Sequence, residues 1–177
     1  MILKGKKTIL RPIRFSDAQR FTDWLCDTEV NMFTSRRPTT LEGEKKWIKG
    51  LKEKKDELHF AIETKDGKHI GTISLEEISV RDQHASMGIF IGEKSYWNKG
   101  LGSDAIITIM NYGFKKLKLN RIELHMGVFE YNTRAIHAYE KIGFVREGAE
   151  RERIFYDGKF HNVILMAVLA KEWGDKK

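Results

Sequence analysis

Tyr96-Trp97-Asn98-Lys99-Gly100-Leu101-Gly102-Ser103 leads out of a predicted strand and into a predicted helix. The first N–H groups of a helix have no intrahelical partners, and they carry partial positive charge. Glycines ahead of them let a phosphate approach the backbone with no side chain in the way. Lys99 adds a formal positive charge and Ser103 a hydroxyl donor. The stretch lacks the Gly-Lys-Ser/Thr ending of a P-loop and the third glycine of a dinucleotide fingerprint. By itself it reads as an anion seat or as a plain strand-to-helix turn.

Further along lies Asn132-Thr133-Arg134-Ala135-Ile136-His137-Ala138-Tyr139-Glu140-Lys141-Ile142-Gly143-Phe144. Asn132 suits an N-cap. Ala135, Ile136, Tyr139 and Ile142 recur at helical spacing, and Gly143 suits the stop. Taken alone this window is a capped amphipathic helix in which Tyr139 packs. A buried tyrosine hydroxyl nevertheless needs a partner.

Around these windows the hydrophobic period alternates between the helical and the extended. Thr8 to Arg14 reads as an opening strand. Ser16 or Asp17 can cap a helix carrying Phe21, Trp24 and Leu25. A second helix starting near Thr39 or Thr40 carries Trp47, Ile48 and Leu51. Strands follow at Leu58–Glu63, from His69 toward Ile78, and at Ala85–Gly92. Asp66-Gly67 turns the first pair as a hairpin, and the short connections predict antiparallel pairing. The helix after the glycine turn carries Ile106, Ile109, Met110, Phe114 and Leu117. A strand at Arg121–Met126 then completes a crossover unit with parallel pairing. The chain closes on a hairpin turned by Asp157-Gly158, with arms near Arg151–Tyr156 and Phe160–Leu169. The sum is one α/β domain, residues 1–177, on a mixed, twisted, mostly antiparallel sheet flanked by helices.

The 177 residues are 41% apolar with two prolines, Pro12 and Pro38, which is globular composition. No apolar run reaches membrane-spanning length, and Met1-Ile2-Leu3-Lys4-Gly5-Lys6-Lys7 lacks a signal-peptide core. The one cysteine, Cys26, leaves no internal disulfide and no cysteine-based metal cluster. Its apolar neighbours predict a buried thiol. A soluble protein of a reducing, cytoplasmic compartment is expected, and no metal. The net charge of +7 favours anionic partners. The lysines from Lys45 to Lys55 are interleaved with Glu42, Glu44, Glu53, Asp56 and Glu57, so they read as a solvated face.

In this order the two windows resemble the signature segments of the Gcn5-related N-acetyltransferases. The likeness is nearest to the branch of ribosomal-protein N-terminal and spermidine acetyltransferases. Leu10-Arg11-Pro12, Tyr112-Gly113-Phe114 and Gly158-Lys159-Phe160 carry it across nearly the whole chain. The family pattern Gln/Arg-x-x-Gly-x-Gly/Ala reads here as Trp97 to Gly102. Trp97 therefore removes a side-chain donor to the pyrophosphate.

The resemblance implies an enzyme that moves an acetyl group from acetyl-CoA to a primary amine by direct attack. It implies central strands that splay near Ile91 and Leu124 and admit the cofactor. Backbone groups of Phe90 and Ile91 would meet the pantetheine arm. Trp97, Asn98, Lys99, Gly100, Leu101, Gly102 and Ser103 would hold the pyrophosphate. Asn132 would bond the pantetheine or its thioester end, and Tyr139 would lie beside the sulfur. It also implies a homodimer.

That chemistry needs a neutral amine, a donor for the developing oxyanion and a proton for the leaving sulfur, which a tyrosine can supply. Many relatives carry a glutamate where this chain has Ser86. Glu77 is the substitute base, directly or through water, and Glu76 should face the other side because strand side chains alternate. His84, His125 or a water relay are the other possibilities. The acceptor is expected to be a peptide or protein N-terminus or a small amine. A polyamine is disfavoured by the net positive charge, and an amino sugar stays open. A non-catalytic nucleic-acid-binding module and an acyl-CoA sensor are the alternatives of other classes, although no basic-aromatic strand pattern supports nucleic acid.

Overall fold

The computed structural model describes residues 1–174. It is a mixed α/β fold with a mostly antiparallel sheet flanked by helices. The residues group into two compact units. One holds Met1–Leu75 with Ile89–Ile109, and the other holds Glu76–Gly88 with the chain from Met110 onward.

In the first unit, β1 (Leu3–Lys4), β2 (Thr8–Pro12), β3 (Leu58–Thr64) and the first part of β4 (His69–Ser79) form an antiparallel ladder. Helices α1 (Ala18–Cys26), α2 (Thr28–Asn31) and α3 (Leu41–Gly50) lie between β2 and β3 in the chain. Ala18, Phe21, Trp24, Val30 and Ile48 form one buried cluster, with Trp47, Phe90 and Trp97 packed against it. Thr40 caps α3 by accepting the Gly43 N–H at 3.1 Å, as the sequence predicts. Asp17 does not cap α1. Both its carboxylate oxygens bond the Arg11 guanidinium, at 2.6 and 2.8 Å, and one also accepts the Arg14 N–H. Arg11 is itself buried, and its charge is offset by holding that carboxylate close.

Two further expectations are corrected here. Cys26 is exposed, its Sγ 3.3 Å from the Thr39 carbonyl, because the apolar stripe of α1 runs through Phe21, Trp24 and Leu25 and leaves it outside. Glu44 does not belong to the solvated lysine face. It is 1% exposed, one turn before Ile48 on the buried side, and bonds Arg36 at 2.6 Å.

In the second unit, β5 (His84–Ile91) pairs parallel to β6 (Arg121–Leu124) through His84–Met87. The preceding helix, α4, spans Leu101–Lys115. β6 pairs antiparallel with β9 (Lys159–Leu169), which also takes β7 (Val128–Phe129) and the long β8 (Val145–Tyr156). Asp157 and Gly158 both adopt positive φ, 51° and 76°, the turn chemistry that a two-residue hairpin demands. Helix α5 (Thr133–Ile142) begins at Asn132 and ends at Gly143, whose φ of 121° suits glycine. Chain reversal after β6 uses Gly127 (φ 69°), where a Cβ would collide with Val163 and the Ile164 carbonyl. β1, β7 and α2 were not legible in the sequence, being only two to four residues long.

Candidate active site

In the first unit the glycine turn forms as predicted. Asn98 and Gly100 have φ of 60° and 74°, and α4 follows at Leu101. The first helical bond runs from the Asp104 N–H to the Gly100 carbonyl at 3.1 Å. The N–H groups of Leu101, Gly102 and Ser103 thus precede any intrahelical partner. The Leu101 side chain is buried, so this residue offers only its backbone.

Lys7 Nζ donates to the Lys99 carbonyl at 3.2 Å, and Lys68 and Lys99 each place Nζ 5.1 Å from the Tyr96 ring centroid. Lys7 thus brings an ammonium group to the turn that carries Lys99, beside a helix N-terminus, while Lys68 also lies 3.9 Å from the Glu93 carboxylate. Lys7 and Lys68 escaped the sequence reading because each is far from the turn along the chain. The turn itself is fastened by Asp104. Its carboxylate accepts the N–H groups of Lys6, Lys7 and Thr8 and the Thr8 hydroxyl, at 2.7 to 3.0 Å.

Trp97 has one side-chain donor, and it is directed at the Ile91 carbonyl at 2.7 Å. No donor from this side chain is left for an anion, in line with the departure from the family pattern. Gly92 donates to the Ile70 carbonyl at 3.0 Å. Across the trans peptide the Ile91 carbonyl points the opposite way, away from β4. The Phe90 side chain packs against Trp24. At Gly102 a Cβ would sit 3.6 Å from Ile91, which is ordinary contact. Gly102→Val is thus expected to fold, yet to weaken acetyl-CoA binding by crowding the first turn. Calorimetry beside a circular-dichroism melt checks this, and unimpaired binding in the folded variant contradicts the placement.

In the second unit, Asn132 caps α5 by accepting the Ala135 N–H at 3.3 Å. That uses its carbonyl oxygen and leaves the amide nitrogen as a donor. Tyr139 lies two turns on, on the same face. Its ring is 5.4 Å from Phe144, and among the described residues its hydroxyl has no hydrogen-bond partner. Desolvation pushes its pKa up to about 12, so the phenol stays protonated through the physiological range.

The same unit gathers Glu76, Glu77, Ser86 and His125. The Ser86 hydroxyl is 2.9 Å from Glu77 Oε2 and 3.3 Å from His125 Nδ1, and His125 Nε2 is 3.8 Å from Glu76 Oε2. This corrects the expectation that Glu76 faces away. Glu77 has φ 53°, a left-handed kink inside β4 that breaks the alternation and lets both carboxylates approach the Ser86–His125 pair. The β5–β6 ladder closes with the His125 N–H on the Met87 carbonyl at 2.8 Å, while β5 continues to Ile91.

The first unit thus holds a basic glycine turn opening a helix, and the second holds a phenol with no hydrogen-bond partner among the described residues and a carboxylate–serine–histidine cluster. Residues 7–145 match the acetyltransferase (GNAT) domain, and the chain belongs to that family of N-acetyltransferases. It is 32% identical over 179 residues, 95% of this chain and 97% of the other, to the Bacillus subtilis (strain 168) protein named "Probable N-acetyltransferase YjcK". The spermidine N(1)-acetyltransferase of Escherichia coli (strain K12) is 34% identical over 117 residues, 66% of this chain and 61% of that one. The crystal structure of spermidine N-acetyltransferase from Vibrio cholerae in complex with CoA and spermine superposes with a TM-score of 0.86. Its identity is 25%, over 94% of this chain and 97% of that one. Among the described residues no helix is long and apolar enough to cross a membrane, and no group of three His, Cys, Asp or Glu side chains could hold a metal.

Proposed function

We propose that this chain, working as one domain, transfers the acetyl group of acetyl-CoA by direct attack to a primary amine. The acceptor is a peptide or protein N-terminus or a small amine. The observation that carries this is the glycine turn opening α4, with Lys7 Nζ on the Lys99 carbonyl, in a chain of the GNAT family. A diphosphate would meet there the N–H groups that open α4, with the ammonium group of Lys7 beside the turn. The Asn98–Ser103 backbone would hold it, the Asn132 amide nitrogen would donate to the pantetheine or thioester end, and the Tyr139 hydroxyl would meet the sulfur. When bound, acetyl-CoA supplies the activated acetyl group.

An α-amine, with an ordinary pKa near 7.7–8.0, loses its proton more readily at neutral pH than a lysine amine near 10.4. This favours an N-terminal acceptor. The net charge of +7 works against a polycation at long range, although relatives named for spermidine keep polyamines in the comparison. Family membership favours an enzyme over a nucleic-acid module or a sensor. The expected assembly is a homodimer and the expected compartment the cytoplasm.

The test is thiol release from acetyl-CoA by the purified protein against peptides, polyamines, amino sugars and aminoglycosides. Release with one acceptor class identifies it. Binding of acetyl-CoA with no release across the panel supports the sensor instead.

A further inference from the structure

Ser86 has a single hydroxyl proton, and three acceptors lie in reach. They are Glu77 Oε2 at 2.9 Å, the Glu76 carbonyl at 3.3 Å and His125 Nδ1 at 3.3 Å. An ionised carboxylate at the shortest distance is the strongest of the three. With the proton directed to Glu77, the serine oxygen can only accept from His125, and that places the imidazole proton on Nδ1. Nε2 is then left with its lone pair. It lies 3.8 Å from the Glu76 carboxylate, on a side chain that is 30% exposed. A proton arriving at Nε2 makes an imidazolium whose charge Glu76 offsets and whose other N–H is already held.

We propose that His125 Nε2 takes the proton of the acceptor amine, and that Glu77, acting through Ser86, is a positioning residue that sets the imidazole tautomer. This rests on the acetyltransferase reading and revises the role expected of Glu77. As the amine nitrogen closes on the acetyl carbon, its N–H bond breaks and the proton goes to Nε2. The electron pair of the severed C–S bond stays on sulfur, which takes its proton from the Tyr139 hydroxyl. Solvent then removes the proton from the exposed imidazolium and returns one to the phenol.

The arrangement gives a role to Ser86, which is 3% exposed. It also accounts for a strained, left-handed Glu77 within a strand. The carboxylates that meet the Ser86–His125 pair are Glu76 and Glu77 from β4; His84 shares the Ser86 face of β5 by strand alternation, and Glu123 stands opposite Ser86 on β6. Glu123 is held by Arg121 at 2.7 Å.

Nitrogen-15 NMR of the labelled wild type at neutral pH reads the tautomer without any turnover. Protonated Nδ1 is the expected result, and protonated Nε2 overturns the proposal. In the thiol-release assay with the amine that the panel identifies, His125→Gln is expected to lose about 100-fold in kcat with acetyl-CoA affinity unchanged. Glu77→Gln keeps an oxygen that accepts from Ser86, so its kcat is expected to stay within about tenfold of wild type. Ser86→Ala is expected to shift the tautomer toward Nε2–H and to lower kcat. The reverse ranking, with Glu77→Gln inactive and His125→Gln active, makes Glu77 the base and overturns the assignment. Wild type that releases no thiol with any amine is the separate failure of the acetyltransferase reading, and it removes the base along with it.

Discussion

Tyr139→Phe is expected to lower turnover by about 100-fold while acetyl-CoA affinity stays near that of wild type. The ring can keep its place beside Phe144, 5.4 Å away, so the variant loses the hydroxyl and little packing. That hydroxyl has no partner among the described residues, and desolvation raises its pKa to about 12. It therefore reaches the reaction as a donor. An ordinary thiol has a pKa near 8.5, well below the phenol. Charge building on the departing sulfur is thus met first by a hydrogen bond, and the proton crosses only as the phenol is resupplied. An interaction that strengthens as charge develops acts on kcat more than on ground-state binding. Stopped-flow thiol release beside calorimetric titration separates the two. Unchanged turnover ends the donor role, and a parallel loss of affinity makes Tyr139 a binding residue only.

Asp104→Ala is expected to cost about 3 kcal/mol of stability and to weaken acetyl-CoA binding together with it. The carboxylate holds three backbone N–H groups and a hydroxyl from Lys6, Lys7 and Thr8. Its removal leaves the two buried Thr8 donors, and the part-buried N–H groups of Lys6 and Lys7, without that acceptor and frees the β1–β2 turn from the start of α4. Lys7, whose Nζ reaches the Lys99 carbonyl at 3.2 Å, then loses its fixed position at the phosphate seat.

The pH dependence has a definite sign. Burial by itself would raise the Asp104 pKa, but the hydrogen bonds from Thr8, Lys7 and Lys6 carry it below the usual carboxylate range. Its contribution is complete above the ordinary carboxylate value near 3.9 and is lost as pH falls through the lower folded value. Urea unfolding at neutral pH gives the stability change. Repeating it at acid pH should bring wild type and variant together, and a constant gap between them would contradict the account.

Periodicity and turn residues carry most of the fold. The strand pair around Asp66-Gly67, the helix stopped by Gly143 and the hairpin at Asp157-Gly158 stand where the amino acids put them. These signals are local, since a glycine at positive φ or a threonine cap acts within a few residues of itself. Chemistry that depends on distant partners was legible only in part. Tyr139 and Asn132 could be singled out because they share a helix with a recognisable cap and stop. Glu77 could be singled out as a candidate base, but its contact with Ser86 could not be read.

The amino-acid order by itself determined the succession of strands and helices, the glycine turn before α4 and the phenol two turns after a cap, because each is written in short-range spacing. Only the tertiary structure decided that Glu76 and Glu77 meet at Ser86 and His125, that Lys7 and Lys68 join Lys99, and that Asp104 fastens the turn. A left-handed kink in β4 and pairings between residues far apart in the chain produce those meetings, and no local pattern encodes them.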